Sequence, residues 1–304
     1  ISLKNAGIQL PIMVLNPEST SFSAIIQHQL EPEIYSIKGL KAFLKIAEQK
    51  NLHQFPIHIK LDTGMHRLGF EANTINELIT TLKGNQRVVV KSILSHMATS
   101  DAEEHKQFSL SQIRLFDELS TQLMRELDIQ PIRHILNTSG ISNFPQGQFD
   151  MVRLGIGLYG VSNDSEEQKY LENVSTLKSV ISQIRTIPAG DSVGYGRRFM
   201  AEKPTQVATI PIGYADGISR LWGNEVGYVT INKQKAPILG SVCMDMLMVD
   251  MGPDGEAKVG DEVILIGQQG DQEILLDELA DKLNTINYEI LVGFNDRVRR
   301  VLVN

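Results

Sequence analysis

A tyrosine set between two glycines, Gly194-Tyr195-Gly196, has little from its chain neighbours to pack against. It should project from a loop; the plainer reading is a turn aromatic. Upstream, the apolar run Pro56-Ile57-His58-Ile59 leads into Lys60, breaks at Gly64 and leaves Arg67 just beyond. At the carboxyl end of a parallel strand such a cation suits an anion or a phenolate. The plainer reading is a strand ending in a glycine turn with two surface charges. Ser95-His96 closes another apolar run, and His134 leads into Asn137-Thr138-Ser139. A strand-end histidine is as readily structural, and Asn-Thr-Ser is good helix-capping chemistry. Arg153 precedes Gly155-Ile156-Gly157-Leu158-Tyr159-Gly160, a match to G-x-G-x-x-G. A nicotinamide site would need that motif to open a helix early in its βαβ unit. Here Val161-Ser162-Asn163-Asp164 follows and the α/β pattern ends, so backbone N–H groups lining a cofactor phosphate are the better reading.

These residues punctuate two textures of sequence. Apolar runs at 11–15, 33–37, 56–61, 88–95, 132–136 and 149–154 read as strands. Helical patterns at 21–29, 38–50, 72–82 and 104–127, with a short one after Asn137, separate them. Such alternation implies βαβ units and a parallel sheet. Six strands fall two short of a (β/α)8 barrel. The polar stretch from Asn163 to Lys169 is the expected boundary, giving an α/β domain over 1–165 and a second domain over 166–304. The second domain should be mostly antiparallel, with strands at 174–187, 205–210, 228–232, 235–240, 247–251, 262–266 and 298–303. Turn clusters such as Met251-Gly252-Pro253-Asp254-Gly255 separate those strands, and one helix is expected at 275–283.

A formal charge of -7 and the lack of any Lys/Arg run argue against a nucleic-acid surface. No run of eighteen apolar residues offers a membrane span. Cys243 is the single cysteine, so no internal disulfide forms and a reducing, cytoplasmic setting fits. All seven histidines fall before the boundary, which leaves Cys243 without a neighbouring base, and no metal-ligand spacing is seen. Ile1 to Lys4 show no initiator methionine or signal peptide. Leu3 to Gly7 read as the end of a helix closed by glycine, as expected of a chain that starts after a missing segment.

Seven motifs in order resemble the alanine racemase family across essentially the whole chain. They are Lys60 to Gly69, Ser95 to Thr99, Asn137 to Ser139, Met151 to Ile156, Val193 to Gly196, Pro211 to Gly217 and Cys243 to Asp245. The resemblance implies a pyridoxal 5'-phosphate enzyme with a (β/α)8-type barrel, here missing its first strands, and a mostly antiparallel β domain. It further implies a cytoplasmic homodimer with shared active sites, interconverting L-alanine and D-alanine and supplying D-alanine for peptidoglycan.

Residue by residue, it implies that Arg67 meets the cofactor's phenolic oxygen and the substrate carboxylate. Lys60 matches a lysine that many members carry as a carbamate. Arg153 would face the pyridine nitrogen, and a permanent cation there keeps that nitrogen unprotonated. Asn137, Thr138 and the N–H groups of Gly155 and Ile156 would hold the cofactor and its phosphate. Met244 would offer its N–H to the substrate carboxylate from the partner subunit. Tyr195 would be one of two bases, acting into the partner's barrel, with His96 linking it towards Arg153. An unperturbed phenol has a pKa of about 10, so it needs that nearby charge to favour the phenolate.

Two departures stand out. The family's cofactor-bonding lysine lies in an N-terminal segment with no counterpart here, so these 304 residues alone are expected to lack racemase activity. Asp296 stands where many members have a tyrosine near the phosphate. The alternatives are a broader-specificity amino-acid racemase and a non-catalytic pyridoxal-phosphate-binding module. A fold-related decarboxylase is disfavoured because its glycine-rich phosphate motif is not seen.

Overall fold

Period-two alternation in Ile57-His58-Ile59-Lys60-Leu61 already separates an apolar face from a polar one, and the first domain is built on that division. A computed structural model describes residues 1–162, 165–252 and 255–303 and gathers the chain into two units, Ile1–Gly155 and Ile156–Asn304. Asn163 and Asp164 of the expected boundary, and Pro253 and Asp254 of the turn cluster, lie outside the described residues.

In the first unit, helix α1 (Ser2–Asn5) precedes five parallel strands paired in chain order: β1 (Met13–Val14), β2 (Glu31–Ile34), β3 (Phe55–Lys60), β4 (Val88–Leu94) and β5 (Ile132–His134). Between them run α2 (Phe22–Gln27), α3 (Ile37–Gln49), α4 (Ile75–Leu82) and α5 (Lys106–Leu127), and α6 (Thr138–Asn143) follows β5. Ser36 caps α3 by accepting the Gly39 N–H at 3.1 Å, and α5 stops where Asp128 turns left-handed at φ 53°. Ile34, Ile57, Ile59 and Ile93 of the sheet join Leu40, Phe43, Leu78 and Phe116 of the helices in one core. Each such side chain contributes roughly 1.5–3 kcal/mol on burial. The alternate positions, Glu33, His58, Lys60, Ser92 and His134, are polar yet buried.

The expected sixth strand at 149–154 is irregular. Phe149 is left-handed at φ 44°, which breaks the extended run. Among the described residues two backbone–backbone bonds join it to β5 and its continuation: Asp150 N–H to Arg133 O at 3.1 Å, and Arg153 N–H to Leu136 O at 3.0 Å.

The second unit opens with α7 (Ser165–Gln168). Its strands are β6 (Leu177–Val180), β7 (Gln183–Ile187), β8 (Ser192–Val193), β9 (Phe199–Met200), β10 (Thr205–Ile210), β11 (Tyr228–Ile231), β12 (Gln234–Leu239), β13 (Leu247–Asp250), β14 (Glu262–Gln269) and β15 (Gln272–Ile274). An antiparallel sheet runs β15-β14-β11-β12-β13-β10-β7, and β6 also pairs with β14. The single strand expected at 174–187 is two, because the chain changes partner at the buried Ile181: β6 pairs β14 while β7 pairs β10. Helices α8 (Leu276–Leu283) and α9 (Asn287–Gly293) follow. Residues 298–303 form no strand, and α9 was not expected from sequence. No helix among the described residues is long and apolar enough to cross a membrane.

Candidate active site

Parallel pairing in the first unit brings the carboxyl ends of β3, β4 and β5 side by side, so Lys60, His96 and the Asn137–Thr138 turn emerge from neighbouring strands. After β3 the chain makes a loop pinned at its neck, with Asp62 N–H to Phe70 O at 3.0 Å and Phe70 N–H to Lys60 O at 2.8 Å. Inside the loop, the Asp62 carboxylate accepts the N–H groups of Gly64 and His66, both at 3.0 Å. Gly69 sits at φ +141°, and a Cβ there would come within 2.5 Å of the Asp62 nitrogen, so only glycine fits. Arg67 is carried on this loop, exposed and with no ion-pair partner among the described residues. Lys60 points back into the domain, where its ammonium lies 3.0 Å from the fully buried Glu33 carboxylate.

Arg153 occupies the centre. Its Nη1 donates to His134 Nδ1 and to His134 O at 3.3 Å. Its Nη2 donates to Ser95 O at 2.6 Å, Ile135 O at 3.1 Å and His96 Nδ1 at 3.3 Å. Both terminal nitrogens are thus committed, and Nε–H is the donor left without a partner among the described residues. Burial lowers the Arg153 pKa to about 10. His96 is lowered to about 4, first by burial and then by the charges of Arg153, Arg67 and Lys60, so all three cations are felt at one imidazole. His134 is lowered to about 3 by burial and by Arg153. Asn137 caps α6 through the Gly140 N–H at 3.1 Å and also accepts from Ser100 at 2.7 Å, while Thr138 Oγ1 accepts the Gly155 N–H at 2.9 Å.

The second unit carries its own polar loops. Tyr195 is 71% exposed between Gly194 at φ 74° and Gly196 at φ 71°, conformations that free the phenol from the hairpin β8–β9. Three distant segments are tied together around Arg297. Its guanidinium pairs with Asp216 at 3.1 Å and Asp245 at 2.6 Å, and Asn295 donates to Ala215 O at 2.6 Å. Tyr214 N–H and Ala215 N–H bond the carbonyls of Cys243 and Met244 at 3.0 and 2.9 Å. The Met244 N–H itself has no partner among the described residues. Ile156 N–H donates to the Tyr288 hydroxyl at 2.8 Å. Asp296 is fully exposed and its nearest cation is Arg300, 3.7 Å away.

Family models for the alanine racemase N-terminal and C-terminal domains match residues 1–163 and 174–302. The chain belongs to the alanine racemase family. An alanine racemase of Clostridium novyi is 37% identical over 310 residues, covering 100% of this chain and 79% of that protein. The crystal structure of alanine racemase from a D-cycloserine-producing Streptomyces lavendulae superposes with a TM-score of 0.93 at 30% identity, covering 100% of this chain and 80% of that one. The Bartonella henselae alanine racemase, solved with covalently bound pyridoxal phosphate, gives 0.86 at 31%, covering 99% and 81%.

Of the residues singled out from an alanine racemase pattern, Lys60, Arg67, His96, Asn137, Thr138, Arg153 and Gly155 share the first unit; Ile156, Tyr195 and Met244 belong to the second. Sequence reasoning gave no role to His134, Glu33, Asp216, Arg297 or Tyr288. The signal for His134 was its place two residues before a strand end already marked as chemical. Nothing local in the sequence announces that Arg297 will meet Asp216 and Asp245.

The depressed imidazoles set a pH window. In the unfolded chain both rings take up protons below about pH 6.5, whereas folded His96 and His134 stay neutral down to about 4 and about 3. The unfolded state binds more protons across that interval, so this share of stability is complete above the unfolded value and is lost as pH falls through the window. The urea midpoint is expected to drop between about pH 7.5 and about pH 5; a flat or rising midpoint contradicts the assignment.

Proposed function

We propose that this chain supplies the cofactor-positioning and proton-transferring side chains of a pyridoxal 5'-phosphate-dependent racemase acting on alanine, as a cytoplasmic homodimer. The observation that carries the reading is the donor set of Arg153: four of its hydrogens are spoken for, and the remaining Nε–H is what an unprotonated ring nitrogen would accept. The N–H groups of Gly155 and Ile156, bonded here to the Thr138 and Tyr288 hydroxyls, would exchange those oxygens for a phosphate's. The carboxylate of Asp296 is turned to solvent and does not oppose that anion. These residues therefore fit the cofactor.

Pyridoxal 5'-phosphate, once bound, supplies the electron sink that makes the α-hydrogen of an amino acid acidic. Arg153 moderates that sink by presenting a permanent cation to the ring nitrogen. Arg67, exposed and without an ion-pair partner among the described residues, can meet the phenolic oxygen and the substrate carboxylate, and the Met244 N–H, without a partner among the same residues, can take that carboxylate. His96 accepts from Arg153 at Nδ1, so its hydrogen sits on Nε2 and is available to donate to a phenol oxygen. Such a donor favours the phenolate of a partner's Tyr195, which then removes or returns the α-proton.

Lys60 reads as an ammonium paired with Glu33 rather than as a carbamate. A carbamate there would place a second anion against the buried Glu33, where the present pair is an attraction at 3.0 Å. Carbon-13 bicarbonate added to the protein should yield no carbamate resonance assignable to Lys60; a stoichiometric signal at that residue overturns the reading.

In a form of the enzyme that racemises alanine, Tyr195→Phe is expected to lower kcat by about 10²–10⁴-fold with little change in cofactor binding. Turnover near the unsubstituted rate refutes Tyr195 as a base.

A further inference from the structure

Beyond the side chains that meet cofactor or substrate, an unbroken chain of polar contacts crosses the buried face of the first domain's sheet. It passes from Glu31 on β2 to His58 on β3, Ser92 on β4, His134 on β5 and so to Arg153. Ser92 stands between two imidazoles, 2.7 Å from His58 Nδ1 and 2.9 Å from His134 Nε2. His58 Nε2 lies 2.9 Å from Glu31 Oε2. His58, Ser92 and His134 are all buried, so their polar atoms must be met within the protein interior.

The direction of every hydrogen in this chain follows from its two ends. Arginine has donors only, so Arg153 must donate and His134 Nδ1 must be the bare nitrogen. A neutral ring bare at Nδ1 carries its hydrogen on Nε2, and that hydrogen goes to Ser92 Oγ. A neutral His58 needs its one hydrogen on Nε2, facing the Glu31 carboxylate, so its Nδ1 is bare and takes the serine's own hydrogen. His58 is then protonated at Nε2 and donates to Glu31, whose carboxylate has acceptors only. No donor faces a donor and no acceptor an acceptor. Burial depresses both imidazoles, although Glu31 works against that at His58.

We propose that Glu31, His58, Ser92 and His134 form a one-way hydrogen-bond relay that fixes the Arg153 guanidinium by its Nη1 edge, making Glu31, His58 and Ser92 positioning residues for the active site. Ser92 is the hub, since its single hydroxyl both accepts from one ring and donates to the other. With Nη1 held by His134 and Nη2 by the strand-end carbonyls, the side chain cannot turn and Nε–H stays available. The significance of that rests on Arg153 facing the cofactor's ring nitrogen; the relay itself does not.

The test needs no cofactor. In long-range ¹H–¹⁵N spectra of the ¹⁵N-labelled protein near neutral pH, His58 and His134 are expected as neutral Nε2–H tautomers, with slowly exchanging ring hydrogens. Ser92→Ala should abolish the slowly exchanging His134 signal and leave His58 in mixed tautomers, and Ser92→Thr, which keeps the hydroxyl, should restore both. Glu31→Ala should abolish the slowly exchanging His58 signal while that of His134 survives. A ring protonated at Nδ1, a doubly protonated His58, or two unchanged rings in Ser92→Ala overturns the relay. A relay found intact alongside a bound cofactor whose ring nitrogen is protonated would leave the hydrogen-bond order standing and defeat the Arg153 reading instead.

Discussion

Keeping the Arg153 guanidinium charged yet largely out of water is the constraint around which the first domain is arranged. Among the described residues no carboxylate touches it: its partners are three backbone carbonyls and two imidazole nitrogens, all neutral. Removing a cation from water is costly unless its hydrogens are met, and hydrogen bonds to a charged group return roughly 1.5–3 kcal/mol each. Leaving the charge without a directly bonded counter-ion has a chemical effect. The cation's field is not cancelled locally, so it acts on whatever occupies the strand ends, including the imidazole of His96. Lys60 contrasts with it, since its ammonium has a directly paired carboxylate in Glu33 at 3.0 Å.

The second domain solves a different problem, which is to fix its polar loops in place. Arg297 draws Asp216 and Asp245 together, and the backbone of 213–217 is laced onto that of 243–246. Gly213 allows this approach, because a Cβ there would meet the Cys243 carbonyl oxygen at 2.3 Å. Tyr195 gains its exposure from the glycines on either side, so rigidity at one loop and freedom at another are both written in residue choice.

Much of this was legible in the sequence. The barrel strands announced themselves by alternation, as in 57–61, and α5 by its buried stripe at Ile113, Phe116, Leu119 and Leu123. What failed was decided by single backbone angles or by distant partners. Phe149 in a left-handed conformation cancels a strand that its neighbours favour. The run at 174–187 is apolar enough for one strand, yet its two halves bond to different partners. Motif order singled out Arg67, His96 and Arg153 as candidates, whereas the pairing of His134 with Arg153 depends on strand register and could not be read from spacing.

In the proposed reading, the Arg153 guanidinium donates a hydrogen bond through Nε–H to the cofactor's ring nitrogen and so keeps that nitrogen unprotonated. Pyridoxal 5'-phosphate labelled with ¹⁵N in the ring, bound to the protein near neutral pH, reports this directly through its nitrogen chemical shift. The account predicts the shift of an unprotonated, hydrogen-bonded pyridine in the wild-type chain and movement towards the protonated value in Arg153→Glu. A protonated ring nitrogen in the wild-type complex would contradict it.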